Sequence, residues 1–192
     1  ANRISKKIEV RQPKDWEPTD KEGNIEYHMD WREPNIDEGS WTIMARTNRL
    51  VSGIAESLRE DGYLFNRYGV PSIDENILNN MSLWNQLIQD EPIPITDVRN
   101  LYKMMPKRGE KAMVKWGSSK QFDFLDDDLF FTYDQLVKDY GLLASKDMDV
   151  YNVLNVSRDD KAYMKSLELR GEMFEKPRIN VSTIHAMKGG ED

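Results

Sequence analysis

The sequence predicts an α/β fold in which a parallel sheet is interrupted by a helical block and then resumed. Residues 41–69 alternate strand, helix and strand, the pattern of a βαβ unit in a doubly wound sheet. Residues 72–175 carry apolar side chains at helical spacing and no clear strand. Residues 179–183 return to strand character. We therefore expect one sheet assembled from two distant parts of the chain.

The βαβ unit begins at Trp41–Ala45, a short and mostly apolar run that suits a buried parallel strand. Thr47 or Asn48 can cap the helix that follows, because their side-chain oxygens accept hydrogen bonds from the free N–H groups at a helix start. Apolar residues then recur at helical spacing until Gly62, which ends the helix. Residues 63–68 favour the second strand.

Four helices are predicted in the block that separates this unit from the last strand. They cover residues 73–88, 96–105, 133–143 and 160–173, with prolines and an acidic loop between them. Before the sheet, residues 23–29 alternate like a strand.

Composition favours a folded protein of the cytoplasm. The charged fraction of 32% exceeds the usual share of about 25%, which indicates a large solvated surface. No run approaches the roughly 18 apolar residues of a membrane span, and no membrane partner is expected. The chain has no cysteine and two histidines, so neither a disulfide framework nor a zinc site is expected.

The net charge of −7 hides an uneven distribution. Residues 99–120 contain seven basic side chains and one acidic one, whereas residues 122–139 contain six aspartates. An average over such blocks hides a local basic face.

Two segments carry side chains suited to binding a nucleotide or nucleic acid. In the first, a strand runs into Arg46, and ligands of open α/β sheets bind beyond the carboxyl ends of strands. A guanidinium there can meet a phosphate with two hydrogen bonds, although a surface ion pair explains a single arginine as well.

The second segment, residues 181–192, follows the last predicted strand. Thr183 and His185 can donate to phosphates or sugars, and the glycines after Lys188 let the backbone approach a ligand closely. Glu191 accepts hydrogen bonds and suits a ribose hydroxyl. An ordinary polar loop is the alternative.

Together, Arg46-Thr47-Asn48 and Thr183-x-His185-x-x-Lys188-Gly189-x-Glu191 resemble motifs IV and V of superfamily 1 DNA helicases of the UvrD/PcrA/Rep type. In that family both motifs belong to the second RecA-like motor domain, called 2A, and a mostly helical accessory domain, 2B, is inserted between them. The resemblance implies a partial RecA-like domain at residues 1–75 and 176–192, interrupted by a 2B-like insertion at residues 76–175. Residues 2–7, 62–69 and 106–109 are also similar to family segments.

The resemblance also implies roles for individual residues. Arg46 would act as the catalytic arginine at the γ-phosphate of ATP, and Glu191 and Gly189 would complete this side of the ATP site. Thr183, His185 and Lys188 would bind single-stranded DNA. Duplex DNA would be bound through its phosphates by the basic stretch 99–120, which contains Lys107 and Arg108, although a solvated helix face explains this stretch as well. One departure is Ala45, which stands where the family often has an aromatic residue that stacks on adenine.

The implied activity is ATP-dependent movement on single-stranded DNA with separation of the duplex, in a bacterial or phage-infected cell. ATP with Mg²⁺ would be bound mainly by the first RecA-like domain of the same protein. The chain has no Gly-x-x-x-x-Gly-Lys-Ser/Thr loop, so we expect it to be part of a longer protein and inactive as an ATPase by itself. Two alternatives stay open, a helicase–nuclease subunit and a non-catalytic binding module with a degenerate motor fold.

Overall fold

A computed structural model describes residues 23–187. The chain forms two compact units, residues 1–38 and 39–192. In the described part of the first unit the backbone makes bends and turns, so the strand predicted over residues 23–29 is wrong. Its apolar members Ile25, Tyr27 and Met29 are all exposed, and local bonds such as the Asp30–Arg32 ion pair hold the turns instead. Alternation alone does not make a strand where no sheet receives the apolar face.

The second unit is mixed α/β. Its main sheet contains β1 (Trp41–Ala45), β2 (Phe65–Arg67), β3 (Val70–Pro71) and β6 (Ile179–Thr183), in the order β1-β6-β2-β3. β6 pairs in parallel with both β1 and β2, and β3 is antiparallel to β2. The predicted joining of distant segments in one sheet is therefore confirmed, with β6 lying between the two strands of the βαβ unit.

Helix α1 (Asn48–Glu60) connects β1 to β2 and packs on the sheet through Val51, Ala55 and Leu58. Thr47 is its N-cap and accepts a hydrogen bond from the Leu50 N–H, as the sequence predicts. The helix ends before Gly62, whose φ of +74° favours glycine.

Two strand predictions need correction. β1 has one strand neighbour among the described residues, and its Met44 side chain is 53% exposed, so β1 is an edge strand and not a fully buried one. β2 is shorter than residues 63–68 because Tyr68 takes a left-handed conformation, with φ of +52°, and the chain turns back at Gly69.

The block between β3 and β6 is mostly helical, and all four predicted helices are present. It comprises α2 (Glu75–Ile88), α3 (Ile95–Met104), α4 (Tyr133–Asp139), the short α5 (Val150–Val153), α6 (Arg158–Arg170) and a 3-10 helix (Ser118–Phe124). The expectation of no strands here is wrong, because β4 (Ile93–Pro94) and β5 (Phe130–Phe131) form an antiparallel pair. Two-residue strands are too short to leave an alternating pattern.

An aromatic cluster fills the centre of this block. The ring of Phe122 contacts Tyr102 edge to face at 5.1 Å between centroids and stacks on Tyr140 at 5.0 Å. Phe131 completes the cluster from β5. Three of the four rings are buried, and Tyr140 is partly buried. The cluster anchors the 3-10 helix and the loop before it, which carries most of the basic residues.

Candidate functional site

The two segments singled out in the sequence leave neighbouring strands at the same edge of the sheet. In the parallel register of β1 and β6, Ala45 pairs with Thr183, and the Ile184 N–H donates to the Ala45 carbonyl at 3.1 Å. Arg46 is therefore one residue and His185 two residues beyond the paired positions, at the carboxyl ends of the two strands. This edge is where open α/β sheets bind ligands.

Arg46 is exposed at the start of this edge. Within residues 23–187 no carboxylate forms an ion pair with its guanidinium, so the surface ion pair considered as an alternative is not seen there. Helix α1 starts two residues later, and its N-terminal N–H groups point toward the same edge. A helix N-terminus and a guanidinium both favour an anion such as phosphate.

The segment after β6 forms a tight turn. The Thr183 carbonyl accepts hydrogen bonds from the N–H groups of Ala186 at 3.1 Å and Met187 at 3.3 Å. The Thr183 hydroxyl oxygen also accepts from the Ala186 N–H at 3.2 Å, which leaves its own proton to donate outward. The turn leaves His185 exposed.

The remaining residues predicted for this loop are Lys188, Gly189 and Glu191, and they lie outside the described residues. Their contribution to the ATP and DNA sites stays a prediction.

Sequence reasoning missed Tyr68, which lies at the carboxyl end of β2 on the same edge. Its hydroxyl donates to the Asn48 side-chain oxygen at 2.7 Å, at the first residue of α1. The neighbouring Arg67 donates to the Ser52 hydroxyl at 2.8 Å. The Arg-Tyr-Gly turn after a predicted strand was the available signal, and the positive φ of Tyr68 makes it a candidate for the same site.

The predicted duplex-binding residues lie in the helical block and are not at the sheet edge. Lys107 is half-buried and Arg108 is exposed, with its guanidinium 3.9 Å from the centre of the Trp116 ring. At the start of the basic stretch, Arg99 pairs with Asp127 and donates to the Phe122 carbonyl at 2.6 Å. Arg99 therefore has a structural role, and the basic surface begins after it.

Two further observations concern the described part of the chain. Residues 23–187 contain no group of three histidine or acidic side chains arranged to hold a metal ion. None of their helices has the length and apolar character needed to cross a bilayer. Comparison of the chain with protein-family models, with curated proteins and with solved structures gave no match.

Proposed function

We propose that this chain is part of an ATP-dependent DNA helicase of superfamily 1, of the UvrD/PcrA/Rep type, which moves on single-stranded DNA and separates the duplex. In this proposal residues 1–75 and 176–192 form the second RecA-like motor domain, and residues 76–175 are its helical insertion. The supporting observation is the parallel pairing of β1 with β6, which brings Arg46 and His185 to one edge although they are distant in sequence. Two sites carried by neighbouring strands can be coupled through rigid secondary elements, as an ATP-driven DNA motor requires.

Arg46 is proposed to meet the γ-phosphate of ATP. Its guanidinium is exposed and has no carboxylate partner among residues 23–187, so no ion pair there has to break before a phosphate binds. Fixed positive charge at the γ-phosphate disperses the negative charge that develops during phosphoryl transfer. The phosphate loop and the Mg²⁺ ligands are proposed to come from the first motor domain, so this chain would supply one wall of the ATP site.

Thr183 and His185 are proposed to hold single-stranded DNA through its phosphates or sugars. Both side chains have a donor available on the outer side of the turn after β6. Such contacts fix the position of the strand without reading its sequence, as a translocating enzyme requires.

The nucleotide role is tested by Arg46→Ala in the natural protein that joins this chain to a phosphate-loop domain. The expected result is a loss of DNA-stimulated ATP hydrolysis by about 10³-fold or more, the magnitude found for arginine fingers, with DNA binding retained. Arg49→Ala is the matched control, because it removes an exposed guanidinium from the first turn of α1. Equal rates in the two variants would contradict the assignment of Arg46.

The DNA role is tested on the 192-residue chain with a fluorescent single-stranded oligonucleotide over a salt series. His185→Ala should weaken binding by roughly 2- to 12-fold, the equivalent of one hydrogen bond of about 0.5–1.5 kcal/mol. His28→Ala is the control, since the only other histidine lies against Glu26 and Glu33 in the first unit. Arg46→Ala should leave DNA binding unchanged. A His185→Ala chain that binds like the parent would remove motif V from the DNA track.

One observation favours a second candidate, a non-catalytic binding module with a motor-like fold. Ala45 is buried in the sheet and offers no ring to an adenine base at the position beside Arg46. A module of this kind would bind DNA through the edge and fail to bind ATP. ATP hydrolysis by the natural protein would therefore rule out this second candidate.

A further inference from the structure

An exposed tryptophan lies at the tip of a well-anchored turn in the helical block. Trp116 is 67% exposed, and residues on both sides of it, Val114 and Ser118, are buried. The Lys115 N–H donates to the Gly141 carbonyl at 2.8 Å. Ser118 donates to the Lys115 carbonyl through its N–H at 3.2 Å and through its hydroxyl at 2.9 Å. The backbone under the ring is therefore fixed, while the ring faces outward.

The turn that carries Trp116 packs closely against Gly141. A Cβ at position 141 would lie 2.5 Å from the Ser118 Oγ and 3.1 Å from the Lys115 Cβ. Next to it, Val114 and Leu142 form an antiparallel bridge. Because the backbone under Trp116 is already packed, little conformational entropy of this turn is lost when the side chain binds a ligand.

One face of the Trp116 indole is already stacked. The Arg108 guanidinium lies 3.9 Å from the ring centre and reaches it from the loop that closes where the Met113 N–H donates to the Pro106 carbonyl at 2.8 Å. An arginine over one face orients the ring. Since the side chain remains 67% exposed, a large part of the indole is accessible to a second planar group.

The lysines in the same segment as Trp116 indicate what kind of ligand it binds. Within residues 23–187 no acid forms an ion pair with the side chains of Lys107, Lys111, Lys115 and Lys120. By contrast, Arg99 at the start of the basic stretch is neutralised by Asp127. An exposed ring in a segment that carries four lysines without ion pairs does not suit the apolar core of a protein interface. It suits a ligand that carries both flat rings and negative charge.

We propose that Trp116 is a stacking site for an unpaired base of single-stranded DNA, whose phosphates contact the surrounding lysines. A base inside a duplex has both faces covered by its neighbours, so only an unpaired base can stack on the accessible part of the indole. The stacking site does not depend on ATP or on the segment after β6. The choice of DNA over RNA rests on the proposed helicase function.

The test compares Trp116→Ala with Trp116→Phe in the 192-residue chain, using a labelled oligothymidylate. Loss of the ring should weaken binding by about 5- to 10-fold, the lower part of the range for stacking of a base on an aromatic side chain, whereas phenylalanine should keep most of the affinity. Phe124→Ala is the matched control, because this ring is 90% exposed in the same region. A blunt-ended duplex of two annealed strands, which has no unpaired base, should bind equally to the parent and to the three variants.

The salt dependence separates stacking from charge. Lys115→Ala should reduce the slope of log affinity against log salt by about 0.7, the value for one phosphate contact on a single strand, while Trp116→Ala should leave the slope unchanged. Thermal melting verifies that each variant is folded. Binding by Trp116→Ala within twofold of the parent overturns the proposal, and so does an equal loss on the duplex. A loss in Trp116→Ala with none in His185→Ala supports the stacking site and removes the motif V track.

Discussion

The hydroxyl of Tyr163 joins the helical block to the α/β part of the second unit, and its removal gives a sharp test of the packing. Tyr163 is 4% exposed on α6. Its hydroxyl donates to the Tyr63 carbonyl at 2.7 Å and lies 2.6 Å from the Ser72 hydroxyl, which in turn accepts from the Phe65 N–H at 3.2 Å. Tyr163→Phe removes this junction and keeps the ring, over which the Arg59 guanidinium lies at 4.3 Å.

We expect Tyr163→Phe to lower the free energy of unfolding by about 1–2 kcal/mol. A buried polar group that loses its partner costs about 1–3 kcal/mol, and the half-buried Tyr63 and Ser72 regain part of this from water. For a protein of this size the melting temperature should fall by about 2–8 °C.

The measurement is urea unfolding, with Tyr68→Phe as the control. The Tyr68 hydroxyl also makes a hydrogen bond at 2.7 Å, to Asn48, but Tyr68 is 42% exposed and water replaces the lost partner. This control should stay within about 0.5 kcal/mol of the parent. Equal midpoints for the two variants would show that the buried junction contributes no more than a surface hydrogen bond, and the reasoning would fail.

Two other predictions concern backbone conformation and alkaline pH. Gly171→Ala should lower the free energy of unfolding by roughly 1–2 kcal/mol, because its φ is positive. Gly62→Ala should lower it further. Gly62 also has a positive φ, and a Cβ at position 62 would lie 2.8 Å from the Ser166 Cβ, whereas position 171 is open. Urea midpoints of the two variants check this order. Burial raises the pKa of Tyr102, and burial together with Glu168 raises the pKa of Tyr151. The unfolded chain therefore loses these two protons at a lower pH than the folded chain does. The free energy of unfolding should fall as the pH rises above about 10. A urea midpoint at pH 11 equal to that at pH 9 would contradict this.

The parts of the fold that the sequence predicts are those fixed by local chemistry. Thr47 caps α1 because its hydroxyl reaches the Leu50 N–H within one turn, and no distant residue is needed. Likewise β1 is a short and mostly apolar run, and β6 places Ile179 and Val181 at alternating positions. The position of β6 between β1 and β2 depends on pairing between distant segments, which periodicity does not encode.

The candidate site divides along the same line. Arg46 and His185 follow recognisable strands, so their shared edge was predictable once the strands were parallel. The exposure of Trp116 was not predictable from the sequence. It depends on the burial of Val114 and Ser118 on either side, which is set by tertiary packing. The ion pair of Arg99 with Asp127 was not predictable for a similar reason, since the two residues are far apart in the sequence.

The position of Arg46 and His185 at one edge depends on the register of β6, and the burial of side chains on β6 fixes that register. Ile179 and Val181 are almost completely buried on one face of the strand, while Asn180 on the other face accepts a hydrogen bond from Asn66 at 3.1 Å. A slip of one residue would move both apolar side chains to the opposite face and bury an unpaired amide in their place. Burying two aliphatic side chains is worth about 1.5–3 kcal/mol each, so the slipped pairing is strongly disfavoured. The same two residues that complete the core therefore hold the candidate site together.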